Sequence, residues 1–271
     1  MNKSVKGCLL LGISMVAIAA TAAPAFADEE TIKQITAALS SAISQRVGDQ
    51  VALNLGTDDS HGGAAWGQLG AVGIAHTTGY DVLAGIDTHP GNNYWGGAVN
   101  YSTDSRGDFN AYGLSAYFAD VFQQDSSGAS FLLVEANYTS SDPNMGSSNN
   151  AFSGTADMNW VWRGSSTLTR FDVSYTGISV SGGGVGSNFL SDVGAGLEVG
   201  FPSGMHIPYL VGRVSESFGG SSASELSSQL GVGIRGEVSA TTTLGAEAGA
   251  EIPQHGDAGW YALLKFRSRF N

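Results

Sequence analysis

Apolar and polar residues alternate along most of this chain, and the period changes once. Over residues 29–47 the apolar positions Ile32, Ile35, Leu39, Ile43 and Val47 recur at spacings of three and four, with Lys33, Gln34, Ser40, Ser41, Gln45 and Arg46 between them, which predicts an amphipathic helix. Glu29 and Glu30 suit its first turn and Gly48 supplies a stop. From Gly62 onward the period is two, broken by turn residues. Twelve strands are predicted, over 64–74, 79–88, 93–103, 108–120, 130–139, 154–163, 166–176, 189–201, 206–215, 225–238, 242–252 and 259–270.

The two faces of these strands differ in kind. One reads Leu132, Val134, Ala136, Tyr138, then Leu210, Gly212, Val214, then Leu230, Val232, Ile234, then Leu244, Ala246, Ala248, Ala250, and finally Trp260, Ala262, Leu264, Phe266. The other holds Glu135, Arg163, Arg170, Arg213, Arg235, Glu237, Glu247, Glu251, Lys265, Arg267 and Arg269 among Gly and Ser, interleaved with Asp157, Asp172 and Glu198. A soluble sandwich alternates too, but its polar face meets water and is rich in Lys and Glu. Small residues with sparse charges of both signs suit a crowded lumen. An apolar outer band with aromatics near strand ends, from Tyr94 and Trp95 to Trp260 and Phe270, suits a lipid interface. Strands in lipid must close so that every backbone group is satisfied. The expected fold is an all-β, 12-stranded antiparallel transmembrane β-barrel with an N-terminal α-helix inside the lumen.

Composition agrees. The 271 residues include 39 Gly and only 13% charged residues, against about 7% Gly and 25% charge in ordinary domains. A lipid-facing surface explains the missing charge. Residues 1–27 read as a signal peptide: Lys3 and Lys6, an uncharged run over residues 7–23, and Ala25-Phe26-Ala27 before Asp28. Cys8 opens that run, whereas a lipid-anchored cysteine would end it. Cleavage would remove two of the 12 basic residues and leave the 24 acidic ones, an acidity that argues against nucleic acid as a partner. Residues 28–61 form the helix and linker, and 62–271 the barrel.

Connections over residues 140–153, 177–188 and 216–224 read as long, and those after the second, sixth, eighth and tenth strands as tight. Long loops at one end and short turns at the other mark outer-membrane barrels; the first-to-second and fourth-to-fifth connections depart from that.

Glycine and aromatic patterns recur in Gly79-Tyr80-Asp81-Val82-Leu83-Ala84-Gly85-Ile86-Asp87, Trp95-Gly96-Gly97-Ala98-Val99-Asn100-Tyr101, Tyr112-Gly113-Leu114-Ser115-Ala116-Tyr117-Phe118 and Ile207-Pro208-Tyr209-Leu210. Together these segments resemble a family, the translocator β-domain of Gram-negative autotransporters. The resemblance implies an outer-membrane barrel filled by its helix, with outer-membrane lipid and the barrel-assembly machinery as partners. The closing segment, with Phe266 and Phe270, looks like the assembly signal, although Asn271 follows the final aromatic. Members carry a passenger ahead of the helix, and this sequence leaves room for little or none. Residues 29–49 hold no Asn, so the self-cleavage that uses an Asn pair is not expected.

No catalytic, metal or cofactor site is expected. His61, His76, His89, His206 and His255 all fall at strand ends or turns and read as water-exposed rim residues. Gly231-Val232-Gly233-Ile234-Arg235-Gly236 matches a dinucleotide fingerprint, but it lies inside a strand rather than between a strand and a helix. Its glycines make room in the lumen. Two roles stay open for the lumenal charges, as bracing ion pairs that hold the helix or as pore-lining groups that set ion preference. The protein is expected to be monomeric, and the alternatives are a small porin-like channel or a surface-exposed binding barrel acting through its loops, with an outer-membrane enzyme last.

Overall fold

A computed structural model describes residues 27–55, 62–74, 77–105, 109–143, 148–182, 185–219, 225–254 and 257–270. Residues 1–26 of the expected export segment, His61, His76, His255 and Asn271 lie outside these residues, and so does the side chain of Lys33. One helix, α1 (Ala27–Asn54), precedes twelve strands: β1 (Gly63–Ile74), β2 (Thr77–Thr88), β3 (Asn93–Asp104), β4 (Phe109–Gln124), β5 (Gly128–Pro143), β6 (Asn149–Arg163), β7 (Leu168–Gly182), β8 (Val185–Gly200), β9 (His206–Gly219), β10 (Glu225–Ser239), β11 (Thr242–Pro253) and β12 (Gly259–Phe270). Each strand pairs antiparallel with its neighbours in sequence, and β1 closes on β12 from Gly63 opposite Phe270 to Ile74 opposite Gly259. The sheet therefore has no edge, the condition that lipid imposes.

Strands of 12 to 16 residues exceed the 9–11 or so that cross a bilayer, so part of the wall stands clear of the hydrocarbon. The extra length comes from segments expected as long loops. β5 runs to Pro143 before β6 starts at Asn149, β7 to Gly182 before β8 starts at Val185, and β9 to Gly219 before β10 starts at Glu225. No connection separates the two ends of the barrel by length. The fourth-to-fifth connection is also tight: the Asp125 carboxylate accepts from Ser127 N at 2.7 Å, Ser127 Oγ at 2.6 Å and Gly128 N at 3.0 Å. The Ser127 bonds hold the Asp125 carboxyl below the usual aspartate range. Gly91 and Gly204, with φ of 68° and 61°, supply left-handed turn residues at the same end. That end also holds Gly63 and Phe270 and is called here the terminal end.

Outward positions carry Val99, Leu114, Val134, Val173, Val193, Leu210, Val232 and Leu264, all exposed. Aromatic rings flank this band. Trp95 meets Phe118 at 4.4 Å between centroids, and Trp160 meets Phe171 at 5.5 Å, near the terminal end; Tyr101–Tyr112 at 5.1 Å and Tyr138–Phe152 at 5.0 Å lie near the other. Two girdles around an apolar band are the signature of a membrane barrel. Tyr94 does not belong to them. Successive strand residues face opposite sides, so with Trp95 outside, Tyr94 points inward, where it is buried and stacks on His89 at 5.3 Å. His89 is therefore buried rather than rim-exposed, while His206 is exposed as expected.

The helix passes the expected stop at Gly48 and continues to Asn54. Val51 and Leu55 extend the apolar stripe by two further turns and are fully buried. Gly48 serves close approach instead: a Cβ there would meet Arg170 Cδ at 2.7 Å. Helical stability drawn from tertiary packing outweighs one interior glycine, which costs about 1 kcal/mol.

Candidate functional site: the helix-filled lumen

Helix α1 lies inside the barrel with most of its circumference buried. Its apolar stripe, Leu39, Ile43, Val47, Val51 and Leu55, belongs to one core cluster with Tyr117, Val121, Phe131, Leu133, Val161 and Leu168 of the wall. The lumenal face is thus not uniformly polar, as alternation suggested, because strands β3–β7 offer the helix an apolar wall. Most of its polar residues are buried too, against the remaining strands and against polar positions of β6.

Hydrogen bonds tie the helix along its length. Ser40 pairs with Thr155 at 3.0 Å, Ser44 donates to Asp157, and Arg213 donates to Ser41. In the middle, Arg46 Nη2 meets Asp87 Oδ1 at 2.8 Å and Arg235 Nη1 meets Asp49 at 2.8 Å and Glu198 at 2.7 Å. Lys265 Nζ donates to Gln45 Oε1 at 2.8 Å, Glu247 Oε2 at 2.5 Å and Tyr209 OH at 3.2 Å. At the C-terminus, Arg163 donates to the carbonyls of Ala52 at 2.7 Å and Leu55 at 3.3 Å, Gln124 to that of Asn54 at 3.0 Å. These bonds satisfy helix-end carbonyls that would otherwise be orphaned, and Arg163 also places positive charge at the negative pole of the helix.

The expected lumenal charges fall into distinct settings. Arg235, Glu247 and Lys265 surround the middle of the helix. Tyr209 OH and Tyr261 OH also donate to Glu247, at 2.9 and 3.1 Å. Arg170 and Arg213 flank Asp172 at 3.6 and 3.7 Å. Glu237 and Arg269 meet at 3.4 Å on the rim, where Glu237 is 43% exposed. Glu135 is buried behind the helix on β5, and neither carboxylate oxygen has a hydrogen-bond partner among the described residues. Phe266 and Phe270 lie on the outer face of β12, with Phe270 52% exposed. Sequence reasoning missed Asp87, Gln45, Asp49, Tyr117 and Tyr209, which serve the lumen through partners distant in sequence. It also missed a chain in which Trp66 Nε1 donates to Tyr117 OH at 3.1 Å and Tyr117 OH to Asp87 at 3.0 Å. Glycines make these inward aromatics possible. A Cβ at Gly85 would strike the Trp66 ring at 2.4 Å, and one at Gly231 or Gly249 the Tyr261 side chain at 2.0 or 2.6 Å. The fingerprint-like glycines of β10 are therefore steric seats.

Cavities lie beside the helix among the described residues, and two of them differ in charge. One of about 220 Å³, toward the end opposite the termini, is lined by Asp157, Asp172, Asp192, Glu225, Glu247 and Glu251 with Arg213. The other, of about 280 Å³, reaches the terminal end and is lined by Arg46, Arg163, Arg235, Lys265 and Arg267 with Asp49 and Glu237. Gln45 borders both, so the Gln45–Lys265–Glu247 layer stands between an acidic and a basic compartment. Among the described residues no group of three His, Cys, Asp or Glu side chains is placed to hold a metal ion.

A closed twelve-stranded barrel around a pinned N-terminal helix decides the comparison with solved structures. The fold is that of an autotransporter translocator domain. The β-domain of the Bordetella autotransporter BrkA superposes with a TM-score of 0.57 at 14% identity, over 78% of this chain and 100% of that one. The translocator domain of the autotransporter NalP from Neisseria meningitidis gives 0.57 at 15%, over 87% and 98%. An outer-membrane channel from Pseudomonas putida F1 gives 0.54 at 11%, over 78% and 95%. No family model matches the sequence, and no curated protein does. The chain is an outer-membrane-type barrel, and the likeness concerns fold alone.

Proposed function

We propose that the chain is a translocator-type outer-membrane barrel closed by its own helix, with little or no passenger and no catalytic activity. The single observation behind this reading is the attachment of α1 to the wall at its N-terminal half, middle and C-terminus, which leaves separate cavities rather than an open bore. In this reading residues 1–27 direct export, β12 with Phe266 and Phe270 presents the signal to the barrel-assembly machinery, and the barrel resides as a monomer in outer-membrane lipid. α1 starts at Ala27, the last residue of the expected export segment. Its one Asn, Asn54, ends the helix and donates to Tyr94 OH at 3.3 Å; without an Asn pair the helix stays attached.

Planar-bilayer recording tests the reading. The chain from residue 28 onward shows small or no conductance, and deletion of residues 28–54 opens a large, stable pore. Equal conductance of the two forms overturns the plug. A large resting conductance in the intact chain favours the porin-like alternative, for which the two charged compartments are the supporting observation. Fractionation to the outer membrane with heat-modifiable gel migration tests location and closure, and substitution of Phe270 tests the assembly signal.

A further inference from the structure

We propose that the basic compartment at the terminal end is a binding site for a small amphipathic monocarboxylate, an organic anion with an aryl or short alkyl body. The ionic partners along this compartment are matched except at one place. Arg46 is taken up by Asp87, Arg235 by Asp49 and Glu198, Lys265 by Glu247, and Arg269 by Glu237; Arg163 is spent on helix carbonyls. Arg267 has no carboxylate within ion-pair distance among the described residues. It is 5% exposed, it lines the cavity, and its Nε and Nη2 are buried without hydrogen-bond partners. A buried guanidinium without a counter-ion is costly, and a bound anion removes that cost.

The surroundings of Arg267 select the rest of the ligand. Trp66 stands directly opposite it across the β1–β12 ladder, its indole N–H already used by Tyr117, so that only the apolar ring remains to be offered. Ala52, Leu53, Leu168 and Ile207 continue the apolar lining. A bidentate Arg–carboxylate pair at one end and an apolar body against Trp66 and Ile207 match this arrangement. An inorganic anion would leave the apolar half unused. Turn residues Gly164, Ser165, Pro202 and Met205 also line the cavity, so the ligand enters from the terminal end with the helix in place.

The test uses the chain from residue 28 onward, folded in lipid nanodiscs, with 3-(4-fluorophenyl)propionate followed by fluorine NMR. Saturable binding is expected, with the matching amide and plain acetate each weaker by at least about tenfold. Arg267→Gln, in a barrel that still shows heat-modifiable migration, loses at least about tenfold in affinity. Ile207→Trp, which fills the cavity and keeps Arg267, abolishes binding. Equal binding of acid and amide, or unaltered binding in either folded variant, overturns the proposal. The inference rests on the helix occupying the lumen. Gel migration and bilayer conductance report that separately, so a closed, folded barrel that fails to bind rejects the ligand site alone.

Discussion

The two walls of the lumen hold the same helix by different physics. Strands β3–β7 present Tyr117, Val121, Phe131, Leu133, Val161 and Leu168 to its apolar stripe. Strands β8–β12 and β2 meet it with charges and amides, β6 adds Thr155, Asp157 and Arg163 beside the apolar stripe, and the cavities lie mostly along β8–β12. Apolar contact is non-directional and scales with buried area, so the first wall presses the helix into the lumen without choosing its height or rotation. Ion pairs and hydrogen bonds are directional, and Arg46–Asp87, Arg235–Asp49 and Lys265–Gln45 set both. An intraluminal plug therefore divides adhesion from registration.

Substitutions on each wall test that division. Phe131→Ala, at a fully buried site, should cost about 3–5 kcal/mol, read as a lower denaturation midpoint that ionic strength does not alter. Asp87→Asn leaves Arg46 without its counter-ion and weakens the Tyr117 link; about 3 kcal/mol is expected. This change should also make single-channel current noisier, because the helix loses a registering contact and keeps its apolar seat. If Phe131→Ala released the helix no more than Asp87→Asn, the division between walls would fail. Arg163→Ala removes the donors to Ala52 and Leu55 and should cost about 1 kcal/mol, with hydrogen exchange faster in the last helical turn alone. Glu237→Gln breaks a rim pair that water screens, so a change under about 1 kcal/mol that disappears in high salt is expected.

Asp125 gives the smallest effect and belongs to neither wall. Its carboxyl lies below the ordinary aspartate range, so the stabilisation of its turn is present at neutral pH and fades as pH falls through the lowered value. Asp125→Ala should remove this acid dependence in a melting series and leave conductance unchanged.

The strands were legible because strand periodicity is local: the Val232–Ile234 and Leu244–Ala250 runs reveal their outer face without any partner. The same rule placed Arg235, Glu247 and Lys265 inside. It failed where two signals share one face. Phe131 and Leu133 lie on the same inward face as Glu135, and only the presence of α1 explains why apolar side chains line that part of a lumen. Gly48 was misread for a similar reason, since a glycine that ends an isolated helix is, beside Arg170, a point of contact. Segments expected as loops became strand ends because Ser and Asn, which favour turns, are also tolerated on a polar inward face.

Local alternation, turn residues and charge sparsity thus determined the barrel, its strand number and the sidedness of most strand residues, Tyr94 being an exception, since each is encoded within a few neighbours. Only the tertiary structure decided which lumenal charges meet, how far the helix runs, and that Arg267 is left without a carboxylate among the described residues. Those outcomes depend on pairs such as Gln45 with Lys265, 220 positions apart, brought together only when the sheet closes around the helix.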